Sequence, residues 1–334
     1  MGQPLVDGFG RVHRDLRISV TDRCNFRCTY CMPAEGMEWL PRSELLTYEE
    51  ITRLAAVFVE RFDFDGIRIT GGEPTVRAHL PVLIERLSAL RTAQGRPVDL
   101  AMTTNGAGLA LIAHDLVRAG LSRINISCDS LRRDRFEALT HRDRLTAVLE
   151  GIEAARDAGL HPVKVNVVVM RGVNDDEVVD FATFGRERGV EVRFIEFMPL
   201  DAQGGWTRDQ VLDQAEIVAA IARVYPLEPI AGRGSEPAER FRYLDGGGEV
   251  GVIASVTHAF CDSCDRVRLT AEGEMATCLF ATDEHDLRTP LRAGATDEEL
   301  ASTIQSAMAT KWAGHRIDQV QFIRPRRSMS QIGG

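Results

Sequence analysis

The sequence predicts an α/β protein in which a parallel sheet is followed by a smaller C-terminal part of different character. Six short strand-like segments each precede a stretch with the apolar spacing of a helix, which is typical of parallel sheets with right-handed crossovers. Near Gly232 this alternation stops and hairpin-like segments begin. We therefore expect two domains, residues 1–230 and residues 231–334.

The strands of the first domain are short apolar segments bounded by turn residues. The first strand, residues 16–20, leads into a cysteine-rich loop, and a helix follows over residues 47–62. Thr47 and Glu50 have the spacing of a capping box at the start of that helix. The other five strands are expected at residues 66–70, 99–103, 123–128, 163–170 and 191–197, each with a helix after it.

The C-terminal domain is predicted to contain two hairpins and a helix. The first hairpin pairs residues 241–244 with 249–254, and the second pairs residues 265–270 with 274–280. Thr296 with Glu299 repeats the capping-box spacing and predicts a helix that reaches about Lys311.

Composition places the chain among ordinary globular proteins. Of 334 residues 44% are hydrophobic and 27% charged, and the net charge of −9 argues against partners such as nucleic acid or a membrane surface. The first 17 residues contain no apolar run, and no such run in the chain approaches about 18 residues. We expect a cytoplasmic protein, whose seven cysteines indicate metal binding or chemistry rather than disulfides. Cys128, within a strand, is the exception and is expected to be a buried apolar filler.

Three cysteines directly after the first strand form a C-x3-C-x2-C run. Cys24, Cys28 and Cys31 are soft ligands that suit either zinc or an iron–sulfur cluster. A structural zinc site requires four ligands, and the only histidine before residue 60 is His13, upstream of the strand. Three thiolates on a cubane would leave one iron free to bind a small molecule, and we favour that interpretation.

A second triplet, Cys261, Cys264 and Cys278, has the spacing C-x2-C-x13-C. In isolation it fits a zinc site completed by His258 or His285 as well as it fits a cluster. Two incomplete triplets in one chain favour two clusters, each with an open iron, that face one cavity from the two domains.

The strand ends and both triplets resemble those of the GTP 3′,8-cyclase (MoaA) family of radical S-adenosylmethionine (SAM) enzymes, which act first in molybdenum cofactor biosynthesis. The resemblance rests on the first triplet with Tyr30 before its last cysteine, on Gly71-Gly72-Glu73-Pro74, on the second triplet, and on the Gly333-Gly334 end. It covers essentially the whole chain. It implies an incomplete (β/α)6 TIM-like barrel and a C-terminal α+β domain that carries a second [4Fe–4S] cluster.

The resemblance also implies the chemistry. The first cluster would bind SAM and, on receiving one electron, release a 5′-deoxyadenosyl radical that takes hydrogen from C3′ of GTP. The C3′ radical would close onto C8 of guanine, and one further electron from the donor with a proton would complete (8S)-3′,8-cyclo-7,8-dihydroguanosine 5′-triphosphate, in a lyase-class reaction. The second cluster would hold the guanine edge. Implied partners are a reducing electron donor such as flavodoxin or ferredoxin and the downstream cyclic pyranopterin monophosphate synthase, with the chain as a monomer or homodimer.

The family's binding positions can be carried over residue by residue. In each case a simpler role is possible, such as core packing for Met198, a helix cap for Ser127 and a frayed terminus for the tail. The implied metal ligands are Cys24, Cys28 and Cys31 for the first cluster and Cys261, Cys264 and Cys278 for the second. The implied SAM contacts are Tyr30, Gly72, Ser127 and Met198. The implied GTP contacts are Arg17, Arg68, Thr103, Lys164, Arg266, Val267 and Arg268. The implied catalytic residues are Arg17, Arg266, Arg268, Gly333 and Gly334.

Two other functions remain open from the residues alone. A radical SAM enzyme that modifies peptides or matures sulfatases would also carry auxiliary clusters, although with more downstream cysteines than the three present here. A zinc-stabilised binding module without chemistry would be distinguished by stoichiometric zinc in anaerobically prepared protein.

Overall fold

The computed structural model describes residues 2–33, 35–200, 204–315, 317, 322, 325 and 327–332. A small N-terminal hairpin, β1 (Leu5–Val6) with β2 (Val12–His13), precedes a single sheet of twelve strands. The helices and short turns between the strands complete an α/β architecture.

Six neighbouring parallel strands form the centre of this sheet, in the order of the chain. They are β3 (Asp15–Ser19), β4 (Gly66–Thr70), β5 (Asp99–Thr104), β6 (Arg123–Ser127), β7 (Val163–Val169) and β8 (Glu191–Glu196). The helices that follow them are α1 (Tyr48–Ala56), α2 (Leu80–Ser88), α3 (Ala113–Arg118), α4 (Arg133–Thr140), α5 (Leu145–Asp157), α6 (Val178–Arg188) and α7 (Gln214–Ala222). The predicted incomplete (β/α)6 barrel is confirmed.

The remaining strands extend the same sheet at both of its edges. Next to β8 lie β11 (Glu249–Ile253), β10 (Glu239–Tyr243) and β9 (Leu227–Ile230), and next to β3 lie β12 (Arg266–Leu269), β13 (Glu274–Ala276) and β14 (His285–Asp286). β11 is parallel to β8 and β12 is parallel to β3. The C-terminal part also supplies α8 (Arg288–Arg292), α9 (Asp297–Met308) and α10 (Met329–Ile332).

The two predicted capping boxes are confirmed. Thr47 caps α1 with Glu50, and Thr296 caps α9 with Glu299. The first helix continues beyond Ala56 as a π-turn to Arg61, close to the predicted end. α9 ends at Met308, three residues before the predicted limit, because Lys311 leaves the helical path and turns inward.

Alternation along the central strands separates an apolar face from a polar one. In β7, Val163, Val165, Val167 and Val169 belong to the hydrophobic core, whereas Lys164 lies in the intervening phase. The strand register then brings polar residues of neighbouring strands side by side, with Arg17 opposite Arg68. The fold therefore collects polar groups on one surface of the open barrel. No helix within the described ranges is long and apolar enough to cross a membrane.

Candidate active site

The first cysteine loop follows β3, and its three thiols lie close enough to interact electrostatically. All three are free and half-buried, and the Phe26 N–H donates to Cys24 Sγ over 3.4 Å. Burial raises the pKa of Cys24 to about 11 and that of Cys31 to about 12, and it raises the pKa of Cys28 as well. Thiols in such surroundings become thiolates when a bound cation compensates the charge, as iron does.

The Gly71-Gly72-Glu73 segment after β4 lies directly against the backbone of this loop. The Gly72 N–H donates to the Thr21 carbonyl over 2.7 Å, and the Glu73 N–H donates to the Arg23 carbonyl over 2.8 Å. A Cβ on Gly72 would lie 2.5 Å from the Asp22 carbonyl oxygen and closer still to that of Arg23. The missing side chain at Gly72 therefore lets the cysteine loop pack on the strand end.

Glu73 is fully buried and joins the ends of two strands. Its carboxylate accepts hydrogen bonds from the Thr75 N–H (3.0 Å), the Thr104 hydroxyl (2.6 Å) and the Asn105 N–H (2.6 Å). Asn105 in turn donates to Asn25 Oδ1 over 2.7 Å, within the cysteine loop. Burial raises the pKa of Glu73, although these hydrogen bonds oppose the shift.

Replacement of Glu73 by Gln is expected to destabilise the fold. One carboxylate oxygen becomes an amide N–H2 that faces buried donors, and a buried donor without a partner costs about 1–3 kcal/mol. We expect a thermal unfolding midpoint several degrees below that of the unmodified protein, measured anaerobically. Glu49→Gln is the control, because Glu49 is exposed and its ion pair with Arg86 lies at the surface. An unchanged midpoint for Glu73→Gln would contradict this role of Glu73.

The predicted SAM residues lie at the carboxyl ends of several strands. The Tyr30 hydroxyl donates to Asp129 Oδ2 over 2.7 Å, and Asp129 Oδ1 accepts from the Val168 N–H over 2.8 Å. Burial raises the pKa of Asp129 to about 6. Ser127 ends β6, and Met198, just beyond β8, lines the central cavity. The assignment of Tyr30, Gly72, Ser127 and Met198 as SAM contacts stays a prediction.

A cavity of about 180 Å³ lies between the barrel strands and the second cysteine triplet. It is lined by nine of the predicted residues, namely Arg17, Arg68, Thr103, Met198, Cys261, Cys264, Arg266, Arg268 and Cys278. A second cavity, at the amino ends of the strands, is lined by Lys164 and Arg123. Arg17, Arg68 and Arg266 line both cavities, so the two form neighbouring parts of one polar interior.

The second triplet repeats a feature of the first. The Phe280 N–H donates to Cys278 Sγ over 3.4 Å, as the Phe26 N–H does to Cys24 Sγ. Backbone N–H groups aimed at cysteine sulfur are a recurrent feature of iron–sulfur ligation. Burial raises the pKa of Cys264, but Arg266 and Lys311 lower it further, so its net pKa lies below the usual value.

The alternative zinc sites receive no support from this geometry. His258 Nδ1 lies 3.1 Å from the Thr257 hydroxyl, and His285 Nε2 lies 3.1 Å from that of Thr310. Across the part of the chain that the structure describes, no three His, Cys, Asp or Glu side chains are close enough to hold a single metal ion. A cubane tolerates wider spacing, because each thiolate binds a different iron.

Three arginines lie side by side on β12, β3 and β4, of which Arg268 is buried and Arg17 and Arg68 are half-buried. Arg268 is opposite Arg17, and Arg17 is opposite Arg68. Burial lowers the pKa of Arg68 to about 10 and that of Arg268 to about 9, and it lowers the pKa of Arg17. The Nε atoms of Arg17 and Arg68 are buried without a hydrogen-bond partner among the described residues, which suits an anionic ligand.

Not every predicted GTP residue presents its side chain to the cavity. Val267 is fully buried in the hydrophobic core, because it lies between Arg266 and Arg268 in the opposite phase of β12. Only its backbone can therefore face a ligand. Lys164 lines the second cavity instead, and its Nζ lies 3.4 Å from Glu191 Oε2.

Arg193 on β8 was not predicted from the sequence as a site residue. Its side chain is 7% exposed, lines both cavities, and donates from Nε to Glu191 Oε1 over 2.6 Å. Arg193 lies opposite Asn166 in the register. A charged residue in the middle of an otherwise apolar strand was the available signal, the same signal that marked Arg17 and Arg68.

The C-terminal helix α10 reaches both parts of the site. Arg268 Nη1 donates to the Ile332 carbonyl over 3.2 Å, and Ser330 hydrogen-bonds the Cys31 thiol. The predicted catalytic residues Gly333 and Gly334 lie outside the described residues.

Comparisons with known proteins identify the family. Residues 18–185 match the Radical SAM superfamily and residues 190–317 match the Molybdenum Cofactor Synthesis C family. The chain is 51% identical to the GTP 3′,8-cyclase of Streptomyces coelicolor over 99% of this chain and 96% of that one, and 49% identical to the GTP 3′,8-cyclase of a Mycobacterium species over 99% and 94%. Streptococcus suis SuiB shares the fold, with a TM-score of 0.58 at 13% identity over 89% of this chain and 69% of that one. The chain therefore belongs to the GTP 3′,8-cyclase family of the radical SAM superfamily.

Proposed function

We propose that this protein is a GTP 3′,8-cyclase, a lyase that converts GTP into (8S)-3′,8-cyclo-7,8-dihydroguanosine 5′-triphosphate in the first step of molybdenum cofactor biosynthesis. The observation that carries the proposal is one polar interior bounded by the second cysteine triplet and by the neighbouring arginines Arg17, Arg68 and Arg268. A nucleoside triphosphate presents an aromatic base at one end and about four negative charges at the other, and this interior offers a distinct surface to each.

Membership of the radical SAM superfamily implies one [4Fe–4S] cluster and SAM. Cys24, Cys28 and Cys31 would hold that cluster, and Cys261, Cys264 and Cys278 would hold a second one. When bound, the first cluster supplies the electron for reductive cleavage of SAM. The N–H to sulfur hydrogen bonds at Cys24 and Cys278 support both assignments.

The two ends of the interior suggest how GTP is oriented. Lys164 and Arg123 line the second cavity, at the amino ends of the strands, where the triphosphate would be neutralised. The second triplet lines the other cavity, so the guanine would lie there. Arg17, which lines both, would bind between the two ends and hold the ribose region in a fixed position.

Residues around the first triplet would position SAM and exclude water. Asp129 fixes the hydroxyl of Tyr30, and Met198 supplies an apolar surface between that loop and the central cavity. Gly333 and Gly334 stay proposed catalytic residues, and the hydrogen bond from Arg268 to the carbonyl of Ile332, which precedes them in the sequence, supports that proposal. A one-electron donor such as flavodoxin or ferredoxin would reduce the enzyme, and cyclic pyranopterin monophosphate synthase would consume its product.

Arg193 is expected to bind the triphosphate. Removal of one charged hydrogen-bonding group that contacts an anion costs about 1.5–3 kcal/mol, so Arg193→Gln should raise the KM for GTP by about 10-fold or more. Initial rates of product formation over a range of GTP concentrations would measure this. Arg188→Gln is the control, because Arg188 pairs with Glu153 on the outer surface. Equal KM values for the Arg193 and Arg188 variants would contradict the assignment.

The substrate can be tested directly. The protein is reconstituted anaerobically with iron and sulfide, reduced, and incubated with SAM and separately with GTP, ATP, CTP or UTP. We expect GTP-dependent 5′-deoxyadenosine together with a GTP-derived isomer of unchanged mass, detected by mass spectrometry. Deoxyadenosine without any change in the nucleotides would refute GTP as substrate, and stoichiometric zinc in anaerobically prepared protein would refute the enzyme.

A further inference from the structure

The turn that follows α9 packs against the segments that carry the second cysteine triplet. Lys311, in this turn, is only 4% exposed. Its ammonium group donates to the Arg266 carbonyl over 2.8 Å and to the Thr277 carbonyl over 2.5 Å. Arg266 lies two residues after Cys264, and Thr277 directly precedes Cys278. One buried cation therefore joins the two chain segments that carry these cysteines.

The rest of the turn, residues 312–315, lies against Cys261. A Cβ on Gly314 would be 3.6 Å from Cys261 Sγ, and the backbone of His315 hydrogen-bonds the same thiol. Arg11, from the N-terminal hairpin, donates to the carbonyls of Trp312 (2.6 Å), Ala313 (2.8 Å) and Cys261 (2.8 Å). The turn therefore contacts Cys261 directly, and through Lys311 it binds the segments that carry Cys264 and Cys278.

Among the described residues, the charge of Lys311 has no carboxylate partner, because no Asp or Glu oxygen lies within ion-pair distance of its ammonium. The acidic groups that act on it are the thiols of Cys264 and Cys278. Asp7, the nearest buried acid of the hairpin, is occupied by Arg11 and His13. Burial lowers the pKa of His13 to about 4, so His13 is neutral at pH 7. A buried, unpaired ammonium is costly, which indicates that an anionic group belongs beside it.

We propose that Lys311 is the counter-charge of the second iron–sulfur cluster, which it helps to retain and whose reduction potential it raises. A cluster held by three thiolates is anionic, and its reduced state carries one more negative charge. A fixed positive charge at short range in a poorly hydrated site favours that reduced state. Lys311 is a positioning residue, since it acts on the cluster through the sulfur ligands and their backbone. The inference rests on the second cluster proposed above.

The test compares Lys311→Gln with the unmodified, full-length protein. Glutamine can still donate to the two carbonyls but carries no charge, and Lys311→Met removes both features. We expect Lys311→Gln to hold the second cluster about 10-fold more weakly or worse, by iron release to a chelator. The midpoint of that cluster should shift to more negative potential in an EPR-monitored titration. Added SAM perturbs only the first cluster and so separates the two signals.

Arg77→Gln is the matched control, because Arg77 also donates to two backbone carbonyls, those of Val20 and Leu46, at a distance from the second triplet. It should leave the second cluster unchanged. Lys311→Gln with unaltered iron release and midpoint would overturn the proposal, and so would loss of both clusters together, which would mean that Lys311 serves the whole fold. Unmodified protein that binds only about four iron atoms per chain would instead refute the second cluster itself.

Discussion

Cys28→Ala is expected to abolish the cleavage of SAM, whereas Cys264→Ala is expected to leave some cleavage without any cyclised nucleotide. The reason is the separation of the two triplets. Cys28 lies in the loop after β3, packed against the Gly72 strand end, while Cys264 precedes β12 and lines the cavity assigned to guanine. A variant without the second cluster keeps the first but holds GTP poorly, so the radical is made without a correctly placed hydrogen to take.

Both products can be measured in one reaction, by quantifying 5′-deoxyadenosine and the GTP-derived isomer. The matched control is Cys128→Ala, because Cys128 is a buried core residue that belongs to neither triplet and whose thiol donates to the Ser130 carbonyl. It should retain both products. Equal loss of deoxyadenosine in the Cys28 and Cys264 variants would contradict separate roles for the two triplets.

The central strands could be predicted because their residues alternate in a way that only a strand explains. β7, with valines in one phase and Lys164 in the other, is an example. The elements that were missed are short. β1, β2 and β14 have two residues each, β9 and α10 have four and α8 has five, too few for any periodicity to be recognised. The parallel pairing of β11 with β8 and of β12 with β3 could not be predicted from the sequence either, because it joins segments that are distant along the chain.

The candidate site, too, could be predicted from the sequence only in part. Both triplets stood out because cysteine is rare and its spacing is specific, and their role as cluster ligands stays a prediction. Arg193 was missed since arginine is common in this chain, where all but two of the 40 Lys and Arg residues are arginines. The part played by Lys311 could not be foreseen, since its carbonyl partners follow and precede cysteines in two other segments. A sequence reveals metal ligands of a rare residue type such as cysteine. It does not reveal which backbone carbonyls a distant side chain will bind.

Gly72→Ala is expected to lower the rate of SAM cleavage by about 100-fold or more, since a displacement of about 1 Å at reacting groups has an effect of that order. The added Cβ would lie 2.5 Å from the Asp22 carbonyl oxygen, and that atom belongs to backbone that cannot rotate away. The loop of the first triplet would have to retreat, and it would lose the bond from the Gly72 N–H to the Thr21 carbonyl. Deoxyadenosine formation in the absence of GTP measures the effect on this site alone.

Gly8→Ala provides the comparison for this substitution. A Cβ on Gly8 would approach only the Ala309 carbonyl, at 3.9 Å, which is an ordinary van der Waals distance. The Gly8 variant should therefore cleave SAM at the unmodified rate, and both variants should be checked for iron content. A Gly72→Ala protein that contains about four iron atoms more than a variant without the first triplet has kept its first cluster. If that protein still cleaves SAM slowly, the loop holds the cluster in a displaced position. A Gly72→Ala protein as fast as the Gly8 variant would mean that the loop backbone yields without loss of function, and the close packing at Gly72 would then have no catalytic consequence.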